Sequence, residues 1–156
     1  MADIQDIEAI RSSITRLFHA IDRRRWEELS AHCSAIVETD YRQLFGGEVQ
    51  RQPAGKLIAQ WRRMLSPLTA TQHLLGPTDV QIAGPDGAAQ CHMRGYHYLA
   101  GASGIDEWMV AGHYRFALED TGDGWKIAGI TLEMFYQTGN PRLLEDAAAA
   151  TGQSSR

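Results

Sequence analysis

Ala89–Leu99 reads AQCHMRGYHYL and Trp108–Leu118 reads WMVAGHYRFAL. Both alternate. In the first, Cys91, Met93, Gly95, His97 and Leu99 fall on one side, and Gln90, His92, Arg94, Tyr96 and Tyr98 on the other. In the second, Trp108, Val110, Gly112, Tyr114, Phe116 and Leu118 share a side, while His113 and Arg115 fall opposite with Glu119. Successive side chains of a strand point to opposite faces, so each stretch predicts a long strand with one covered face and one polar face. Gly101–Gly104 is the loop between them, and the turn Asp120–Gly124 leads into a last strand over Trp125–Tyr136. Together they make a meander of antiparallel strands.

Upstream of this block, Gly84–Pro85–Asp86–Gly87 is a turn signal. It follows a strand region from Thr71 to Ile82 that breaks at Gly76–Pro77. Ile36–Tyr41 is a short strand. The remainder is helical. Ile7, Ile10, Ile14, Leu17, Phe18 and Ile21 recur at helical spacing, with Asp3 or Asp6 as cap. A second helical stretch carries Trp26, Leu29 and Cys33. A third starts near Pro53, aligns Leu57, Trp61 and Met64 or Leu65, and stops at Pro67. Helices first and a strand meander after them define an α+β class. Residues 1–146 are expected to form a single domain. The small, polar stretch 147–156 is expected to be a frayed or disordered tail.

At 156 residues the chain is long enough for one core without disulfide or metal staples. Its net charge is −4 and no basic run exceeds Arg23–Arg25, which argues against a nucleic-acid partner. No apolar run approaches the about 20 residues of a membrane span, and the acidic N-terminus lacks a signal-peptide pattern. The cytoplasm is the expected compartment. Cys33 and Cys91 have no paired spacing, so no disulfide framework is expected. There is no HExxH, no His-x-His, no Cys-x-x-Cys, no phosphate-cradling glycine loop and no nucleophile elbow. Neither a metal nor a cofactor is expected.

Three ionisable residues fall on lines otherwise occupied by core residues. Asp22 continues the ridge Ile10, Ile14, Phe18 towards Trp26. Taken alone it is an N-cap for the following helical stretch. His97 sits inward with Met93, Gly95 and Leu99, and His73 shares a side with Leu75. Either histidine alone is a hydrogen-bonded core residue. Together the three are harder to explain as packing, because each uncompensated buried polar group costs about 1–3 kcal/mol. An aspartate bonded to one imidazole sets its tautomer and raises its basicity, as a general base requires. Tyr41, ending its strand, is a phenol that either polarises a substrate carbonyl or fills space. His113 and His92 fall on the polar side of their strands, and His19 and His32 read as surface or helix-end residues.

The order of these residues resembles the nuclear transport factor 2-like (SnoaL-like) superfamily, and within it scytalone dehydratase. The similarity covers about residues 5–140. It is carried by Ile21–Asp22 with Trp26 beyond, by Asp40–Tyr41–Arg42, by Thr71–Gln72–His73, by Gly112–His113 with His97 upstream, and by Gly124–Trp125–Lys126–Ile127–Ala128–Gly129. The resemblance implies a cone-shaped α+β barrel, its N-terminal helices packed on a strongly curved antiparallel sheet and closing a deep pocket. It implies catalytic roles for Asp22, His73, His97 and Tyr41. Where the family enzyme has a second pocket tyrosine this chain has Ile21, and where it has a serine and an asparagine this chain has Phe116 and Leu118. A more apolar or aromatic substrate is therefore expected, with Trp61, Met93, Tyr114, Phe116 and Leu118 lining its pocket.

The expected function is a cofactor-independent lyase, most simply a dehydratase, acting on a small-molecule substrate. The same base also suits formaldehyde-releasing carbon–carbon cleavage or isomerisation, and a non-catalytic binding module is the reading outside enzymology. Tyr96, Tyr98, His113 and Arg115 on the outer face suit self-association as a trimer or dimer.

Overall fold

The computed structural model describes residues 3–102 and 104–152. Helix α1 (Ile4–Asp22) starts where the Asp3 side chain accepts the Gln5 N–H at 3.0 Å. It buries Ile10, Ile14, Leu17, Phe18 and Ile21. The second helical stretch is a 3-10 turn over Trp26–His32 that stops one residue short of its expected end. Cys33 instead opens strand β1 (Cys33–Asp40), where it pairs with Ile127 of the last strand. Two elements not expected from sequence follow: a one-turn helix α2 (Arg42–Phe45) and a short edge strand β2 (Gln50–Pro53). Helix α3 (Ala54–Leu65) buries Leu57, Trp61 and Leu65 on one face.

The strands β3 (Ala70–Leu75), β4 (Asp79–Ala83), β5 (Asp86–Tyr98), β6 (Glu107–Asp120) and β7 (Trp125–Gly139) complete one sheet of order β2-β1-β7-β6-β5-β3, with β4 also on β5. The alternation in β5 holds from end to end, with Gly87, Ala89, Cys91, Met93, Gly95 and His97 all buried and their neighbours not. The expected all-antiparallel sheet is corrected at one place. The β1–β7 pair is parallel, which makes the sheet mixed. Hairpin turns force antiparallel pairing only between consecutive strands; β1 and β7 lie far apart in sequence and meet through tertiary packing. The sheet is also not closed, since β2 ends one edge and β3 and β4 the other.

Register shifts between Ala111 and Gly112, between Ala117 and Leu118, and in β1 between Cys33 and Glu38 bend the sheet into its cone. At the first, a Cβ on Gly112 would overlap the Glu133 carbonyl, so only glycine allows β6 and β7 to approach there. The core fills the concave face under α1 and α3. Trp125, at the start of β7, donates its indole N–H to Asp6 at 3.0 Å.

The tail boundary is also corrected. Helix α4 (Leu143–Ala150) crosses it, and Leu143 and Ala147 are fully buried. The Asn140 side chain accepts the Arg142 N–H and donates to Asp146, which starts the helix. Only 153–156 of the expected tail lie outside the described residues, as does Ser103 of the Gly101–Gly104 loop. No helix among the described residues is long and apolar enough to cross a membrane.

Candidate active site

Asp22 is the last residue of α1, and His73 lies in the middle of β3 beside the helix end. The carboxylate is held on two sides. Its Oδ1 lies 2.7 Å from His73 Nδ1 and accepts the Thr71 hydroxyl at 2.9 Å; its Oδ2 accepts the His73 backbone N–H at 2.7 Å. Three bonds from residues 71 and 73 of one strand therefore satisfy the half-buried acid. Burial alone raises the Asp22 pKa, but the hydrogen bond and charge of His73, with Thr71 adding to them, outweigh it and hold the carboxyl below its usual range. A carboxylate only accepts, so His73 Nδ1 carries a proton, and in the neutral imidazole Nε2 is then the bare nitrogen.

His97 stands across from it, ring centroids 6.1 Å apart and nearly perpendicular. Its Nδ1 lies 3.2 Å from the Trp108 carbonyl, which again can only accept, so the Nδ1 proton is committed there too. Burial, then the charge of His73, push the His97 pKa down to about 4. The two rings converge on Gly95. A Cβ there would sit 3.5 Å from His73 Cδ2 and 3.5 Å from His97 Cε1, each a carbon bonded to Nε2. The missing side chain of Gly95 is thus what leaves room between the two Nε2 edges.

Tyr41 enters from the junction of β1 and α2. Asp40 grips the Arg42 guanidinium with both oxygens at 2.9 Å and also accepts the Arg42 N–H, which ties the neighbours of Tyr41 outward and turns the phenol in. Burial raises the Tyr41 pKa, partly offset by the Trp61 indole, so the phenol is a neutral donor. Tyr114 on β6 is likewise raised by burial.

Tyr41, His73 and His97 border a cavity of about 60 Å³, and Asp22 stands behind His73, outside its lining. Trp61, Met93 and Tyr114 line it as expected from the sequence. Phe116 and Leu118 do not. Phe116 packs behind the wall, edge-on to Phe18 at 6.2 Å and tilted against Tyr114 at 5.4 Å, and Leu118 pairs with Gly87 beneath the N-terminal half of α1. Alternation puts both on the inner face but does not say how far along β6 the helix covers it. Trp108 and Val110, at the other end of the same strand, take their place. The alternation shared with Tyr114 was the signal for these two. Leu44 and Phe45 of α2 and Leu144 of α4 close the remaining side, and no sequence periodicity marked them. Among the described residues no group of three or more His, Cys, Asp or Glu side chains is arranged to hold a metal ion.

The curved sheet with helices packed on its concave face is the nuclear transport factor 2-like, cystatin-like fold of small α+β domains. Within that class the assignment is specific: residues 2–131 match the SnoaL-like domain family, and the chain belongs to it. A scytalone dehydratase-like protein of Claviceps purpurea (strain 20.1) is 27% identical over 140 residues, covering 83% of this chain and 87% of the relative. Among solved structures, the Kfla4162 protein of Kribbella flavida superposes with a TM-score of 0.85 at 25% identity, over 90% of this chain and 97% of that one. A type 2 hexachlorocyclohexane dehydrochlorinase (LinA) shares the fold with a TM-score of 0.69 at 18% identity, over 88% and 93% of the two chains.

Proposed function

We propose that the protein is a cofactor-independent lyase of the dehydratase kind, with Asp22 and His73 as its proton-abstracting pair. The observation that carries this reading is the 2.7 Å contact between Asp22 and His73 Nδ1, which leaves Nε2 bare at the edge of an apolar cavity. His73 Nε2 takes a proton from a carbon next to a carbonyl or an aryl group. Tyr41 donates to the oxygen on which negative charge develops. The electron pair left on carbon forms the new double bond as the neighbouring carbon–oxygen bond breaks. His97 is neutral and its only ring N–H is spent on Trp108, so it accepts a hydrogen bond from the departing hydroxyl and positions it. The proton that leaves with that hydroxyl as water comes from His73, which restores the base. Proton and hydroxyl therefore depart from one face of the substrate.

The name of the Claviceps relative agrees with this chemistry. The substrate is small, apolar or aromatic, and carries one carbonyl-type oxygen. A cavity of about 60 Å³ is smaller than the roughly 150 Å³ that accommodates benzene. The cavity shares Tyr41, Phe45, Trp61 and Met64 with an outer groove of about 440 Å³, the side from which substrate enters. We further propose that the protein self-associates through the outer sheet face, where Leu74, Tyr98, Phe135 and Tyr136 are exposed.

Asp22→Asn tests the pair. It places an amide donor against His73 Nδ1 and favours the wrong tautomer, with an expected loss of about 10³–10⁴-fold in turnover and the fold retained. The assay is a panel of aryl β-hydroxy ketones, with separate detection of water loss, formaldehyde and shifted double bonds. Wild-type turnover in the folded variant would rule out the pair, and formaldehyde or an isomer as product would replace the dehydratase assignment.

A further inference from the structure

The turn leaving α1 carries a half-buried cation next to the acid–imidazole pair. Arg24 is the single non-glycine residue with positive φ among the described residues, at 59°. Glycine or asparagine serves such a position at lower cost. The turn itself is made by the backbone: Arg24 N–H donates to the Ile21 carbonyl at 3.0 Å and Arg25 N–H to the Ala20 carbonyl at 2.8 Å. The Arg24 side chain nevertheless folds back inward and is half-buried. Burial pushes its pKa down, with Asp22 partly restoring it. Its Nη2 is sealed from solvent without a hydrogen-bond partner among the described residues. Left-handed backbone, desolvated charge and an unmade hydrogen bond all cost stability. The turn does not explain why arginine stands here.

The two bonds of Nη1 explain it better. One goes to the Ile21 carbonyl at 3.2 Å, and the other to the Thr71 hydroxyl at 2.8 Å. Thr71 has one hydroxyl proton. With the Arg24 N–H on its oxygen, that proton is left to point at Asp22 Oδ1, 2.9 Å away. A continuous chain results, Arg24 to Thr71 to Asp22, met from the other side by His73 Nδ1. The Trp26 ring, 5.9 Å from the guanidinium carbon, backs its far side.

We infer that Arg24 is a positioning residue: acting through Thr71, it orients the Asp22 carboxylate so that His73 keeps its proton on Nδ1 and offers Nε2 to the cavity. This rests on the role proposed for the Asp22–His73 pair. The competing account makes Arg24 a structural staple between α1 and β3, and the two differ in what they do to the His73 ring.

Imidazole NMR of the ¹⁵N-labelled full-length chain reads that difference without any substrate. In the wild type, the His73 Nδ1–H is expected as a protected, far-downfield proton with Nε2 unprotonated. In Arg24→Met and in Thr71→Val, that signal is expected to be lost to exchange as the Nε2–H tautomer appears. The double variant is expected to be no worse than the worse single one, because both cut the same chain. Arg24→Lys, which keeps a charged donor, is expected to retain part of the signal. Arg24→Gly relaxes the backbone while removing the guanidinium, so it is expected to lose the signal with no fall in Tm. An unchanged His73 signal in Arg24→Met and Arg24→Gly overturns the inference and leaves a staple. Absence of a carboxylate-bound Nδ1–H in the wild type overturns the pair itself, a separate failure.

Discussion

His73 and His97 sit at inward positions of neighbouring strands, yet their partners suit them to different work. One faces a carboxylate and the other a carbonyl. For His97 the consequence is a pH-dependent stability. Its folded pKa is pushed down to about 4, while an unfolded imidazole titrates near about 6.5. Between those values the unfolded chain binds a proton that the folded chain does not, so stability rises with pH across the window and this contribution is complete above it. We expect a loss of roughly 3 kcal/mol as pH falls from about 6.5 to about 4, read by urea unfolding at a series of pH values. His97→Gln should flatten that slope; an unaltered slope would assign it to another group. Asp22, with a lowered pKa, acts in the next window down: its contribution is present above the unfolded carboxylate value of about 3.9 and is lost as pH falls through the folded one. The inward placement of Asp22, His73 and His97 was legible from spacing alone. The tautomers of the two histidines were not, because these depend on the Asp22 carboxylate and on a carbonyl of the neighbouring strand. Arg24 was not legible either, since within Arg23–Arg25 it reads as one more solvated charge.

β5 shows how one absent side chain shapes an element into a site. Gly95 is paired with His73 and leaves the space between the two imidazoles open. A Cβ added there makes ordinary contacts of 3.4–3.5 Å, so the backbone tolerates a substitution while the cavity does not. Valine favours strand backbone over glycine. Gly95→Val is therefore expected to melt at or above the wild-type temperature and to lose turnover on the aryl ketone panel, with Gly95→Ala between the two. Full activity in the valine variant would move the reacting carbon away from this gap. The long strands were legible because alternation persists over their full length. Phe116 and Leu118 show its limit: period two reports the face of a strand, while the helix above decides which part of that face remains hollow. One-turn α2 is too short for periodicity to register, and the alanine-rich α4 is helical in part because Leu143 and Ala147 find a buried seat.

At the scale of the molecule, the convex face carries Leu74, Tyr98, Phe135 and Tyr136 between 39% and 54% exposed, with His92 and His113 packed on Phe135. Self-association on this face predicts a dimer or trimer in sedimentation equilibrium and a monomer for Phe135→Glu; a wild-type monomer at micromolar concentration would remove the proposal. Spacing and alternation along the chain were enough for the α+β class, the covered and polar faces of the long strands, and the inward placement of an acid and two imidazoles. These follow from local periodicity, which each segment carries within itself. The parallel β1–β7 pair, the bulges that bend the sheet, the short helices that close the cavity and the hydrogen bonds that set each ring nitrogen were decided only in the tertiary structure. Each of these joins groups distant along the chain, and a contact between distant groups leaves no period in a single sequence for a reader to find.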